Sequence, residues 1–325
     1  MASSELRKRG FRVEPFTKDC PQLSIPLILP NDFLYNPEKG SVLDVVGERR
    51  RQLNLIEKAA ELIGGIEGPV CVMAVCGEPM TGKAYVVSRL LGSSKAFTVS
   101  AEFMVQTTKP CGAWLGTSVL KSDDVTVVFL HVNLDFEDDA GLLLSTLLIS
   151  SVVVYNTLGV PSKTDLNKLK FLTTLAKNLS IQEGQVVADL KEFRSHMPDF
   201  IWLCRDVDKK LILPSTKEEL SASDYILRVV CGRDTAEDEL TEEDRTAEAL
   251  VSAFCSVDAF CLPCPGPEDV VENIAKHADK ISPKFTKELD KFLDVMAQKI
   301  RPIYGFTDGS ALSGETVYYS LYYLH

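Results

Sequence analysis

Cys76-Gly77-Glu78-Pro79-Met80-Thr81-Gly82-Lys83-Ala84-Tyr85 is the stretch from which the rest of the chain is read. Before it stands Val70-Cys71-Val72-Met73-Ala74-Val75, an unbroken apolar run of the kind that forms a strand buried on both faces. After it, Tyr85-Val86-Val87-Ser88-Arg89-Leu90-Leu91 has helical spacing and ends at Gly92. Strand, glycine loop and helix are the setting of a phosphate-binding loop. Gly77 and Gly82 allow the turn that aims successive N–H groups at one anion. The helix start adds the positive end of its dipole, and Lys83 reaches the β- and γ-phosphates of a nucleotide. The pattern continues with Ser or Thr, whose hydroxyl holds magnesium. Here that position is Ala84, so the loop keeps its phosphate cradle and lacks a metal ligand. The competing reading is an accidental glycine-rich turn between a strand and a helix.

Composition narrows the classes. The chain has 325 residues, 45% of them hydrophobic and 25% charged, which is ordinary for a globular protein of one large domain or two smaller ones. A net charge of −11 argues against a broad nucleic-acid or anionic-membrane surface, while leaving room for a local basic nucleotide site. Met1 to Gly10 is polar and basic with no apolar core behind it, so it is not a secretory signal. The longest apolar stretch, Gly141 to Val154, is too short to span a bilayer and is interrupted by serines. Nine cysteines, several inside apolar runs, fit reduced thiols in the cytoplasm. Cys261-Leu-Pro-Cys264 is the one CxxC; without a second pair or a histidine at ligand spacing it does not make a zinc site.

Along the chain, residues 1–22 read as a frayed terminus and 23–325 as one domain. Leu23 to Leu29 and Phe33-Leu34-Tyr35 read as short strands around Pro30-Asn31-Asp32, and Leu43 to Ile63 as a helix stopping at Gly64-Gly65, with basic Glu48-Arg49-Arg50-Arg51 on a solvated face. Phe97 to Gly116 reads as a long loop beside the nucleotide. Val125 to Leu130, Ser151 to Asn156, Pro198 to Asp206 and Val257 to Cys261 read as strands. Leu142 to Leu148, Asp165 to Leu179, Glu268 to Lys276, Pro283 to Ile300 and Gly314 to Leu324 read as helices. The acidic stretch Asp234 to Glu248 reads as a surface loop or exposed helix. Alternation of the two kinds predicts an α/β fold, with a mostly parallel central sheet flanked by helices and ligand loops at the strand C-termini.

Several stretches in series resemble the G domain of the guanylate-binding proteins, a branch of the dynamin-like large GTPases with a P-loop NTPase-type fold. Gly77 to Tyr85 is similar to that family's phosphate loop. Leu147-Leu-Ile-Ser-Ser-Val-Val-Val-Tyr-Asn-Thr-Leu-Gly159 resembles its serine-rich segment ending in Tyr-Asn. Met197-Pro-Asp-Phe-Ile-Trp-Leu-Cys-Arg-Asp206 resembles the strand whose terminal Arg-Asp reads guanine, and Ser282-Pro-Lys-Phe and Leu312-Ser-Gly314 resemble later helical markers. The resemblance implies GTP or GDP as ligand. It implies that Asp206 accepts hydrogen bonds from the guanine N1–H and amino group, that Arg205 lies over or beside the base, and that Thr108 and Lys109 form the switch segment. Alternatively, Arg205 and Asp206 are a surface ion pair at a strand end. The resemblance also implies a homodimer, or a hetero-oligomer with related GTPases, formed through the nucleotide face. The family's helical domain and lipid anchor are not expected within these residues.

The catalytic positions depart from the family. Where it has Asp-Thr-Glu-Gly, this chain has His131-Val132-Asn133-Leu134, and Met80 stands where the family has its arginine finger. With Ala84 and His131, both protein-side anchors for magnesium are gone, and no residue is assigned as catalytic or metal-binding. A lone histidine ending an apolar strand packs there more readily than it acts as a base. Three hypotheses follow: a guanine-nucleotide-binding module with weak or no hydrolysis, an active GTPase using Asp135 or Asp138 as rearranged ligands, and a nucleotide-free interaction scaffold. Retained Lys83 and Asp206 favour the first over the third. The altered Met80, Ala84 and His131 favour it over the second.

Overall fold

The computed structural model describes residues 4–16, 24–45, 47, 52–91, 111–134, 140–174, 194–232, 241–272, 274, 277–305 and 309–324. Its strands, in chain order, are β1 (Arg12–Pro15), β2 (Ser24–Pro30), β3 (Phe33–Asn36), β4 (Ser41–Asp44), β5 (Leu53–Leu55), β6 (Val70–Gly77), β7 (Gly112–Gly116), β8 (Ser118–Lys121), β9 (Thr126–Asn133), β10 (Val152–Leu158), β11 (Asp199–Arg205) and β12 (Val257–Cys261). Among the described residues, ten of them make one sheet in the order β12-β11-β10-β6-β9-β7-β2-β5, with β8 also on β9 and β1 on β8. The five strands β12, β11, β10, β6 and β9 run parallel. Antiparallel pairs extend the sheet beyond β9.

β6 shows why the apolar runs end up in the middle. Every residue from Val70 to Gly77 is buried. With side chains alternating across a strand, Val70, Val72, Ala74 and Cys76 enter one core, and Cys71, Met73 and Val75 enter the other. The first core takes Ala59, Ala60 and Ile63 from the helix Glu57–Gly64 and Leu250 from the helix Glu242–Ala253. The second takes Val86, Val87 and Leu90 from the helix Lys83–Leu90, and Phe285, Leu289 and Phe292 from the helix Pro283–Gln298. Helices therefore cover both faces of a sheet whose order reverses at β6, between β9 and β10. In such sheets the crevice outside the strand C-termini at the reversal takes the ligand. The phosphate loop begins there.

Four local expectations are corrected. Leu43 to Ile63 is not one helix: Ser41–Asp44 pairs with Phe33–Asn36 as a separate two-stranded sheet, Leu53–Leu55 pairs with Ile28–Pro30, and among the described residues of the stretch only Glu57–Gly64 is helical. Apolar residues that mimic a helical period there serve two strand edges instead. The end of the expected loop 97–116 is the fully buried strand Gly112–Gly116, inserted between β2 and β9; residues 97–110 lie outside the described residues. Asp165 to Leu179 starts as a 3-10 helix, Lys163–Leu169, begun by a Ser162/Asp165 capping box. Within residues 1–22, Ser4–Lys8 is helical, Leu6 is fully buried and β1 pairs with β8, so residues 4–16 are built into the domain. Arg9 secures them by donating to the carbonyls of Ala297 and Ile300. No helix among the described residues is long and apolar enough to cross a membrane.

Candidate functional site

The loop after β6 has the backbone its glycines predict. At Gly77, φ is +145° and a Cβ would sit 2.3 Å from the Asn156 carbonyl oxygen, so only glycine lets β6 and β10 approach. Gly82 has φ +77° and starts the helix Lys83–Leu90. Between them Met80 takes φ +63° without being glycine, and its side chain is 63% exposed. Thr81 Oγ1 donates to the Glu78 carbonyl at 2.8 Å, closing the turn from inside. Lys83 is buried and donates from Nζ to the Gly77 carbonyl at 3.0 Å and to the Glu78 carbonyl. Burial pushes its ammonium down to about 7, with Cys76 and Glu78 pulling the other way. An anion in the loop would draw this pKa back up.

The underside of the loop is held by two buried polar residues. Asn156 Nδ2 donates to the Thr81 carbonyl at 3.2 Å, and Arg205 Nη1 donates to the same oxygen at 3.1 Å. Arg205 Nη1 also lies 3.5 Å from Asn156 Oδ1, and its guanidinium stands 5.9 Å over the Phe285 ring. Arg205 is 4% exposed, so it is not half of a surface ion pair, and burial lowers its pKa. A Cβ at Gly82 would meet Arg205 Nη1 at 2.9 Å. Asp206 follows at the rim, exposed and with φ +60°. The backbone around it is fixed: Gly159 N–H donates to the Arg205 carbonyl at 2.8 Å, and Val207 N–H to the Leu262 carbonyl at 3.0 Å. Asp208, two residues on, accepts from the Cys264 amide at 3.3 Å and from Lys284 Nζ at 3.1 Å.

One more contact reaches the loop from outside. Lys168 of the 3-10 helix pairs with Glu78 at 2.8 Å. That helix is itself tied to the helix Glu242–Ala253 by Lys163–Asp244 at 3.1 Å and by Asn167 Nδ2 donating to Glu243 at 3.0 Å. Gly77, Glu78, Pro79, Met80, Thr81, Gly82, Lys83, Ala84 and Tyr85 are therefore gathered with Arg205 and Asp206 at one edge of the sheet. Thr108 and Lys109, and likewise Asp135 and Asp138, lie outside the described residues. The sequence reading did not find that Asn156 and Arg205 share the Thr81 carbonyl. A polar residue at the end of an otherwise apolar buried strand was the available signal for Asn156.

Residues 50–301 match the family described as guanylate-binding protein, N-terminal domain. The chain belongs to the guanylate-binding protein family. It is 30% identical to human guanylate-binding protein 4 over 199 residues, covering 56% of this chain and 31% of that one. It is 22% identical to human guanylate-binding protein 2 over 260 residues, covering 77% and 44%. It is 27% identical to mouse guanylate-binding protein 6 over 191 residues, covering 56% and 31%. The chain thus spans between about a third and under half of the length of these relatives.

In this guanylate-binding protein domain the four departures from the family pattern have definite surroundings. Ala84 packs its methyl group beside the second core. His131 is 8% exposed inside the sheet, between Val75 on β6 and Trp114 on β7. Leu134 is 1% exposed in the first core, and its amide donates to the Gly77 carbonyl at 3.1 Å. Met80 alone points to solvent. Among the described residues, Ala84 offers no oxygen, His131 offers no carboxylate, and no group of three His, Cys, Asp or Glu side chains is placed to hold a metal ion.

Proposed function

We propose that this domain binds GTP or GDP on the loop Gly77–Tyr85, selects guanine through Asp206, and hydrolyses GTP very slowly or not at all, serving as a regulatory or assembly module. Family membership supports the ligand class. Buried Lys83, held at about 7, supports a bound phosphate. Asp206 at the rim, on a backbone tied down from three sides, supports base reading.

The amide of Leu134 is the observation that carries the weak-hydrolysis reading. In the family the corresponding glycine meets the γ-phosphate. Here β9 continues in register beside β6 through Asn133, and the next N–H is engaged by the Gly77 carbonyl. Phosphoryl transfer rests on positioning and charge stabilisation. This domain lacks the γ-phosphate amide, the magnesium anchors at Ala84 and His131, and a cation at Met80.

The reading includes a cytoplasmic site of action with reduced thiols. It also includes pairing through the nucleotide face with a second copy or a related GTPase. Exposed Met80, Leu158 and Val160 at the same end of the strands support the pairing. The test is titration with fluorescent GTP, GDP and ATP analogues, followed by phosphate release at saturating GTP. Selective binding of GTP and GDP with negligible release is expected. Equal affinity for GTP and ATP would overturn the guanine assignment, turnover like that of active large GTPases would restore the enzyme reading, and no binding would leave the scaffold reading.

A further inference from the structure

Directly behind Arg205 stands Cys204, whose register partner across the parallel β11–β12 ladder is Cys261. Neighbouring strands lie about 4.8 Å apart, inside the roughly 4.4–6.8 Å Cα separation that a disulfide spans. In-register side chains stand on the same face, and both thiols face the first core; each thiol acts on the other, lowering the Cys261 pKa and raising that of Cys204. Cys204 is buried, and Cys261 is half-buried at the strand end. Three other thiols serve as contrast. Cys71 and Cys76 are closed inside the cores and pushed up to about 11 and about 12 by burial. Cys264 turns its thiol to the Gly266 carbonyl at 3.1 Å, away from the pair.

We infer that Cys204 and Cys261 are a peroxide-sensitive modification site, at which a reversible disulfide forms and loosens the phosphate loop through Arg205. The chemistry balances with hydrogen peroxide as oxidant. The Cys261 thiolate attacks the O–O bond, giving a sulfenic acid and hydroxide. Cys204 sulfur then attacks the Cys261 sulfur; the S–S bond forms as the S–O bond breaks and a second hydroxide leaves. The two thiol protons convert the two hydroxides to water. Two electrons pass from the thiols to the peroxide.

The link to the loop is geometric. The roughly 4.8 Å spacing of paired strands lies within the range a disulfide spans but below its usual separation of about 5.5–6 Å, so bridging shifts the end of β11 relative to β12. Arg205, the next residue, holds Thr81 O at 3.1 Å and Asn156 Oδ1 at 3.5 Å from that end, and the shift disturbs both.

The test needs no nucleotide, so it stands apart from the functional reading above. The whole chain is reduced, desalted, treated with hydrogen peroxide and mapped unreduced by mass spectrometry. Hydrogen exchange is then followed in peptides covering residues 77–90. The expected result is a Cys204–Cys261 linked peptide, reversed by dithiothreitol and retained in Cys264→Ser, with severalfold faster exchange of the loop amides while linked. Cys204→Ser should instead accumulate a Cys261 sulfenic acid that dimedone traps. Absence of the linked peptide, or a link made to Cys264, overturns the site. Unchanged loop exchange in fully linked protein overturns its action on Arg205.

Discussion

Leu134→Gly restores the residue that the family carries at this position and places it where this fold can least accept it. Leu134 is 1% exposed in the first core. Truncating a buried leucine costs about 2–5 kcal/mol, and glycine within an extended segment adds about 0.5–1 kcal/mol. The sum is about 3–6 kcal/mol. Unfolding entropy is roughly 2.1 cal/mol/K per residue near the midpoint, which for 325 residues gives about 0.7 kcal/mol/K. The melting temperature should therefore fall by about 4–9 °C. Leu134→Met, which nearly conserves volume, should stay within about 2 °C of the unmutated protein. Differential scanning calorimetry without nucleotide measures both, and phosphate release at saturating GTP should not rise in Leu134→Gly. A melting point unchanged in Leu134→Gly would refute the packing argument. A gain in turnover from this single change would refute the claim that several missing parts act together on one transition state.

Nucleotide binding should be linked to protons through Lys83. Burial holds its free ammonium at about 7, and phosphate contact draws it back up, so binding takes up a proton above that pH. Affinity is full below about pH 7 and falls by up to tenfold, or about 1.4 kcal/mol, per unit as pH rises further. Calorimetric titration in buffers of different ionisation enthalpy reads the uptake, and affinity flat from pH 6 to 9 contradicts it. In the unliganded protein the same lowered pKa works in the opposite sense: the unfolded chain holds a proton that the fold releases, so stability rises with pH from about 7 toward the ordinary lysine value. Asp206→Asn should weaken GTP by about 1.5–3 kcal/mol and narrow its advantage over ATP in competition titrations, since the amide presents an NH2 donor where the carboxylate has its second accepting oxygen. Adding a chelator should leave GTP affinity within about twofold, as no oxygen at Ala84 or carboxylate at His131 holds magnesium; a large loss would point to Asp135. Ala84→Ser should raise magnesium-dependent binding more than turnover, which parallel titration and phosphate-release assays separate.

How far the residues alone reveal the molecule depends on which force acts on them. β6, β9, β10 and β11 are buried on both faces, so their apolar runs are continuous and legible. The helix Gly314–Leu324 follows from its spacing to the residue. The segment from Leu43 to Ile63 misleads because its apolar residues serve two edge pairings, and pairing partners far along the chain leave no periodic mark nearby. Gly112–Gly116 looks like a turn because glycines flank it, yet it is a central strand. At the site, the order of glycines and Lys83 declares a phosphate loop. What the sequence conceals is depth. Arg205 reads as lying over or beside the base, or else as a surface ion pair, and is 4% exposed under the loop, and Leu134 reads as a lost glycine while serving as core.

The loop's dependence on Arg205 also sets a timetable during synthesis. Thr81 and the guanidinium that holds its carbonyl are separated by 124 positions, and Asn156, the other donor, by 75. A ribosome adds roughly 5–20 residues each second, so about 6–25 s pass between emergence of the glycine loop and emergence of the arginine that holds it. During that interval the nascent chain carries the binding motif without its support. Nucleotide therefore cannot act as an early folding ligand, and a chain halted before Arg205 would display the motif and lack the grip.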